Sequence, residues 1–143
     1  MVGARTQEHF LPDPGRPPTL APQTCVIMSN PCNPTGKVFP PETLALWMHE
    51  VRKAEGWMIL DEAYADFKEN GVDTTPLKDM NDFPLIVLRS PLKFFSLPGL
   101  RAGICFFPAR LAERMSAASP PWPLSTPASH ALHAALEFDP AEI

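Results

Sequence analysis

Several residue types and patterns are scarce in this sequence, and each scarcity narrows the field. No uninterrupted apolar run approaches the ~18 residues that a membrane-spanning helix needs, so no membrane partner is expected. Lys and Arg form no dense cluster, and the net charge is mildly negative at −4, from 12 basic and 16 acidic residues. A nucleic-acid partner is therefore not expected either. The three cysteines, Cys25, Cys32 and Cys105, are odd in number and form no CxxC pair. That suits a reducing cytoplasm better than a disulfide framework. The first ten residues mix Arg5, Glu8 and His9 with few apolar side chains, which is unlike a secretory signal. His130 and His133 stand i, i+3 on a predicted helix, but no nearby carboxylate or cysteine completes a ligand set, so no metal is expected.

What the sequence has in excess is proline, 19 in 143 residues, well above the usual ~5%. The prolines concentrate at residues 12–40 and 119–127, which marks those stretches as loops or extended connections. A hydrophobic share of 45% with 20% charged residues is that of a globular chain, and the length suits one domain. Residues 1–23 read as an irregular lead-in, 24–138 as the structured domain and 139–143 as a short tail. Within the domain, the apolar runs 24–29, 57–60, 85–88 and 102–107 read as strands, the first three buried. Leu44, Leu46, Trp47 and Val51 recur at near-helical spacing over 41–55, with Pro41 suited to a first helical position and Gly56 to the end. Further helices are expected over 109–118 and 128–138, and a loop rich in Phe, Pro and Gly between the third and fourth strands.

Strands alternating with helices imply an α/β fold with a mixed, mostly parallel sheet flanked by helices. In such sheets ligands bind beyond the carboxyl ends of the strands. Asn33, Asp61 and Ser90 each fall at or just after such an end. Three separate strands would thus offer polar groups to one crevice.

Three segments carry a resemblance: Asn30-Pro31-Cys32-Asn33-Pro34-Thr35-Gly36, Asp61-Glu62-Ala63-Tyr64, and Ser90-Pro91-Leu92-Lys93 followed by Pro98-Gly99-Leu100-Arg101. In this order and at these intervals they resemble the signatures of fold-type I, pyridoxal-phosphate (PLP)-dependent class I/II aminotransferases. The flavour is that of the branch containing histidinol-phosphate aminotransferase and threonine-phosphate decarboxylase, and the likeness covers residues 24–138. It implies the large PLP-binding domain of such an enzyme, present in part. Lys93 matches the lysine that forms the Schiff base with PLP and shuttles protons. Asp61 matches the carboxylate that pairs with the pyridinium nitrogen, and Tyr64 and Asn33 the partners of the phenolic oxygen. Ser90 and Arg101 match phosphate contacts, a role suited to a hydroxyl and a forked guanidinium.

Each residue also has a plainer reading. Lys93 could be a solvated surface lysine, Asp61 a turn cap, Tyr64 a half-buried core aromatic, Asn33 an Asn-Pro turn and Arg101 a surface ion pair. The apolar neighbours Leu92, Phe94 and Phe95 suggest that Lys93 is partly shielded from water, which would favour its neutral, nucleophilic form.

Two departures from the family stand out. Leu92, behind Pro91, occupies the position where the family has Ser or Thr before its lysine. The family's upstream phosphate-binding turn and its downstream substrate-gripping arginine have no counterpart here. The expectation is a PLP-binding fragment of an aminotransferase-like enzyme acting on a small amino acid, phosphorylated as in histidinol phosphate, with a homodimer implied by the resemblance. The alternatives are a threonine-phosphate decarboxylase-like fragment and a non-catalytic remnant.

Overall fold

Strand β1 (Cys25–Ser29), helix α1 (Pro41–Lys53) and strand β2 (Trp57–Glu62) make the first unit of the chain in a computed structural model that describes residues 15–67 and 80–137. Pro41 sits in the first helical turn, where its missing N–H costs nothing and its fixed φ is already helical. From there Leu44, Trp47, Met48 and Val51 fall on one face and are all buried. Arg52 and Lys53 in the last turn oppose the negative end of the helix dipole, and Lys53 pairs with Glu50 at 2.6 Å. Gly56 then admits a close crossing. A Cβ placed there would lie 2.1 Å from the Thr24 carbonyl oxygen, the same oxygen that accepts from the Trp57 N–H at 3.1 Å.

Strands β3 (Leu85–Arg89) and β4 (Ile104–Phe106) complete a four-stranded sheet in the order β1-β2-β3-β4. The first three strands are parallel and the fourth runs antiparallel to β3, with Arg89 opposite Ile104 and Val87 opposite Phe106. The fold is thus the expected mixed, mostly parallel α/β type. Strand alternation places Met58, Leu60, Leu85 and Val87 on one face. There they pack with Leu44, Trp47, Met48, Val51 and Met80 into the core, with Val26, Met28, Phe83 and Phe106 around it.

The opposite face is only partly covered. Arg110 lies over the Trp57 ring at 5.2 Å, while Ile27 is 73% exposed and Leu88 39%. The expectation that β1 is a buried strand is therefore corrected. Its even positions face the core, but Cys25 and Ile27 are exposed on the other side of this edge strand.

The remaining elements differ from expectation mainly at their ends. Strand β2 runs on through Glu62, and β4 is shorter than the expected 102–107. The segment expected as one helix over 109–118 is a 3-10 turn (Ala109–Leu111) followed by α3 (Ala112–Ala118). The last helix, α4, spans Thr126–Glu137. A one-turn helix, α2 (Pro91–Phe94), and a 3-10 turn (Ala65–Phe67) fall where no element was expected. The lead-in's first fourteen positions, Phe138 and the tail at 139–143 lie outside the described residues. No helix among the described residues is long and apolar enough to cross a membrane.

Candidate functional site

The carboxyl ends of β1, β2 and β3 lie side by side in register, with Ser29 opposite Asp61 and Glu62 opposite Arg89. Each strand therefore delivers the loop that follows it to the same end of the sheet. After β1 the chain makes the Asn30–Gly36 turn, in which Gly36 N–H donates to the Cys32 carbonyl at 2.7 Å and Gly36 takes a positive φ of 68°. This turn carries Asn33 outward, and the Asn33 Nδ2 donates to the Tyr64 hydroxyl oxygen at 3.2 Å. Tyr64, half-buried, is held just past β2 by the turn that precedes the Ala65–Phe67 segment.

Strand alternation sends Asp61 to the side opposite Leu60 and Glu62. Its Oδ1 accepts from the Ala63 N–H at 2.9 Å, the short Asx-type contact expected of an aspartate before a turn. The other carboxylate oxygen makes no hydrogen bond among the described residues. Ser90 follows β3 directly, and its carbonyl accepts the Lys93 N–H at 3.1 Å as α2 begins. The Lys93 Nζ then lies 5.9 Å from the Tyr64 ring centroid. Phe67 and Phe94 meet edge to face at 5.4 Å, and Phe94 and Phe95 at 5.2 Å, forming an aromatic wall beside these groups.

The fold thus brings Asn33 and Lys93 each to Tyr64, with Asp61 and Ser90 at the adjoining strand ends. Arg101 stands apart from the other five. It is exposed and forms no ion pair among the described residues, although antiparallel β4 begins opposite Arg89 and so places Arg101 at the same end of the sheet. Gly103 passes close to β3, where a Cβ would come within 3.3 Å of the Arg89 carbonyl. The shielding expected around Lys93 is not found. Leu92 turns inward and is buried, and the lysine on the next position of this single helical turn is exposed.

Two features at the strand ends were not singled out in the sequence. Glu62 is fully buried and accepts from Arg89 Nε at 2.9 Å, and the Arg89 guanidinium lies 6.0 Å from the Phe106 ring centroid. This group ties β2, β3 and β4 together where the site residues emerge. Extending the alternation of Met58 and Leu60 by one more residue would have placed Glu62 on the core face. The second feature is the burial of Asn30. A groove of about 390 Å³ lined by Thr19, Leu20, Glu50, Lys53 and Glu55 lies at the C-terminal end of α1. It is at the amino ends of the strands and holds none of these groups. Among the described residues no cluster of His, Cys, Asp and Glu could hold a metal ion.

Chemically, the groups at these strand ends are an amine, a carboxylate, a phenol, an amide and a hydroxyl, with the Arg101 guanidinium apart from them at the same end of the sheet. That set suits a ligand carrying an anionic phosphate, a phenolic oxygen and a protonated ring nitrogen.

Comparison with known proteins points the same way. Threonine-phosphate decarboxylase of Pseudomonas aeruginosa is 35% identical over 115 residues, covering 78% of this chain and 33% of that protein. The crystal structure of histidinol-phosphate aminotransferase from Clostridium acetobutylicum superposes with a TM-score of 0.70 at 25% identity, covering 79% of this chain and 34% of that one. A PLP-bound C-S lyase from Staphylococcus hominis superposes with a TM-score of 0.57 at 27% identity, covering 66% of this chain and 25% of that one. The chain therefore spans about a third or less of the length of the relatives it matches. Residues 8–143 match the family described as aminotransferase class I and II, and the chain belongs to that family.

Proposed function

We propose that this chain forms the PLP-binding part of an aminotransferase-like active site. The observation that carries the reading is the convergence of Asn33, Tyr64 and Lys93 from three different strand ends, with the Asn33–Tyr64 bond at 3.2 Å and the Lys93 Nζ 5.9 Å from the same ring. When bound, PLP supplies an electron sink that stabilises negative charge at the substrate's α-carbon.

The chain's own groups divide the work of holding and protonation. Lys93 Nζ tethers the cofactor and afterwards carries a proton to or from the substrate carbon. The uncommitted oxygen of Asp61 holds a proton on the ring nitrogen. Tyr64 Oη and Asn33 Nδ2 hydrogen-bond the phenolic oxygen, and the hydroxyl of Ser90 and the guanidinium of Arg101 hold the phosphate. Leu92, in place of a hydroxyl-bearing residue, supplies no further phosphate contact. The substrate is a small amino acid, phosphorylated as in the named relatives. The working assembly is a homodimer in the cytoplasm, where the three free cysteines stay reduced.

A second reading, threonine-phosphate decarboxylase-like chemistry, has equal support from identity, since the decarboxylase and a histidinol-phosphate aminotransferase of Archaeoglobus fulgidus each match at 35%. Residues that select which bond at the α-carbon breaks are not among those placed here. The exposure of Lys93 favours a third reading, a remnant without activity.

The test is to add PLP to the purified chain, record its visible absorbance, reduce with borohydride and map the labelled peptide. Label on Lys93, with both band and label lost in Lys93→Ala, is the expected result. Equal labelling of several lysines would overturn the cofactor-site reading. A chain that labels at Lys93 is then offered histidinol phosphate and threonine phosphate, with amino transfer and CO2 release as the two readouts.

A further inference from the structure

Asn30 has no part in the roles above, yet its side chain is fully buried at 0% exposure. A buried amide destabilises the fold unless its donors and acceptor find partners. Asn30 finds them at the far end of its own loop. The Phe39 N–H donates to Asn30 Oδ1 at 2.8 Å, and Asn30 Nδ2 donates to the Phe39 carbonyl at 3.3 Å. The side-chain amide thus pairs with one residue through both its donor and its acceptor, as a peptide group in a neighbouring strand would. The Asn30 backbone N–H, meanwhile, donates to the Asp61 carbonyl at 2.8 Å.

These bonds close a ring. Residues 31–38 are exposed or half-buried, so packing does little to fix them. Their internal bonds run from Gly36 N–H to the Cys32 carbonyl at 2.7 Å and from Cys32 N–H to the Lys37 carbonyl at 2.8 Å. Those bonds shape the loop but do not anchor it to the sheet. Asn30 does both, fastening the loop's return at Phe39 and its start at the strand end that carries Asp61. Asn33 is at the outer part of this loop and meets Tyr64, three residues beyond Asp61.

We propose that Asn30 is a positioning residue, whose buried side chain holds the 31–38 loop so that Asn33 meets Tyr64. Its further consequence, that Asn30 sets where the cofactor's phenolic oxygen is received, rests on the PLP reading above. Its first part does not.

The experiment uses the whole chain, carbon-13-labelled on its tyrosine ring, and begins without PLP. One tyrosine gives one set of ring resonances, so Tyr64 is observed directly. Asn33→Ala supplies the reference shift for losing the Asn33–Tyr64 bond. Asn30→Ala is expected to move the Tyr64 resonance in the same direction and to speed exchange of the Phe39 amide by about tenfold, while the Leu60 and Val87 amides stay within about twofold of the parent. Asn30→Ser keeps a hydrogen-bonding group in the buried site but is too short to span both Phe39 backbone groups, so it is expected to fall between. An unmoved Tyr64 resonance would overturn the proposal. So would acceleration at Leu60 and Val87 equal to that at Phe39, since that is the mark of a residue serving global stability alone. If Asn30→Ala fails to fold, the same two readouts on Asn30→Ser decide. PLP is then added, and reduced labelling of Lys93 in the Asn30 variants supports the further consequence. A parent chain that never labels Lys93 sinks the PLP reading, while the measurements without cofactor still decide the role of Asn30.

Discussion

Tyr64 is where three separate inferences meet, because its hydroxyl accepts from Asn33 and its ring lies beneath the Lys93 ammonium. Its hydrogen bond is exposed to solvent, so Tyr64→Phe is expected to change stability by less than about 1 kcal/mol. Its effect on PLP retention is expected to be larger, about tenfold weaker binding, if the hydroxyl contacts the cofactor directly. Absorbance titration with PLP, set beside a urea melt, separates the two. Cys105 offers a different check. Burial pushes its thiol above the ordinary value of 9.0. The unfolded thiol ionises first as pH rises, so this contribution to stability is whole below pH 9 and is lost as pH climbs through the folded thiol's higher pKa. Iodoacetamide should modify Cys105 more slowly in the folded chain than in urea, with the gap widest near pH 9. At this scale the sequence was most legible in placement, since the strings that follow the strands bring Asn33, Asp61, Tyr64, Ser90 and Lys93 to one end of the sheet. It was least legible where burial decides the role. The exposure of Lys93 and the burial of Asn30 depend on how α2 and the 31–38 loop sit on the sheet, and neighbouring residues along the chain do not report that.

Two elements depend on contacts that a single substitution would break. At the start of β2, Gly56 leaves room for the Thr24 carbonyl that seeds the β1–β2 pairing. Gly56→Ala puts a methyl carbon where backbone already is, and no flexible side chain can yield. It is expected to cost about 3 kcal/mol, read from chemical denaturation. At the other end of the same strand, Glu62 is buried against Arg89. Arg89→Ala removes the Nε–H that the buried Glu62 carboxylate accepts and is expected to destabilise by about 3 kcal/mol, whereas the double change Glu62→Leu with Arg89→Leu should cost clearly less. A double-mutant cycle in urea measures the difference. Helix α1 was legible in sequence because Leu44, Trp47 and Val51 repeat at its period and Pro41 marks its start, although Leu46, read with them, points to solvent. Helix α2 was not, because one turn is too short to show a period. Pro91 fell in the stretch read as a Phe-, Pro- and Gly-rich loop, and it begins the helix instead. Strand β2 ran past its apolar stretch for a related reason, since its last two residues are charged and polarity alone suggested an end at Asp61.

Seen whole, the described residues form a sheet with one well-packed face and one that is half bare. Ile27, 73% exposed on strand β1, is the most open apolar side chain of that second face. Ile27→Lys is therefore expected to leave the urea midpoint nearly unchanged while lowering self-association, which light scattering across a concentration series would register. No change in scattering would mean that this face is covered in solution. The parallel order of β1, β2 and β3 was legible because a helix separates the first two and a long connection the next. The reversal at β4 was not, since Ile104–Phe106 carries no feature that distinguishes the two directions.

The loops that converge at the sheet's carboxyl end also have a consequence in time. Asn33 and Tyr64 are 31 positions apart, and Glu62 and Arg89 are 27 apart. Bringing such pairs together requires closing long loops before any contact can offset the lost entropy. No part of this site can form ahead of the sheet that carries it. A growing chain displays Asn33 well before the tyrosine it meets has been made. Capture of a cofactor at Lys93 would then be one of the last events of folding, and its rate a clock for the completion of the parallel strands.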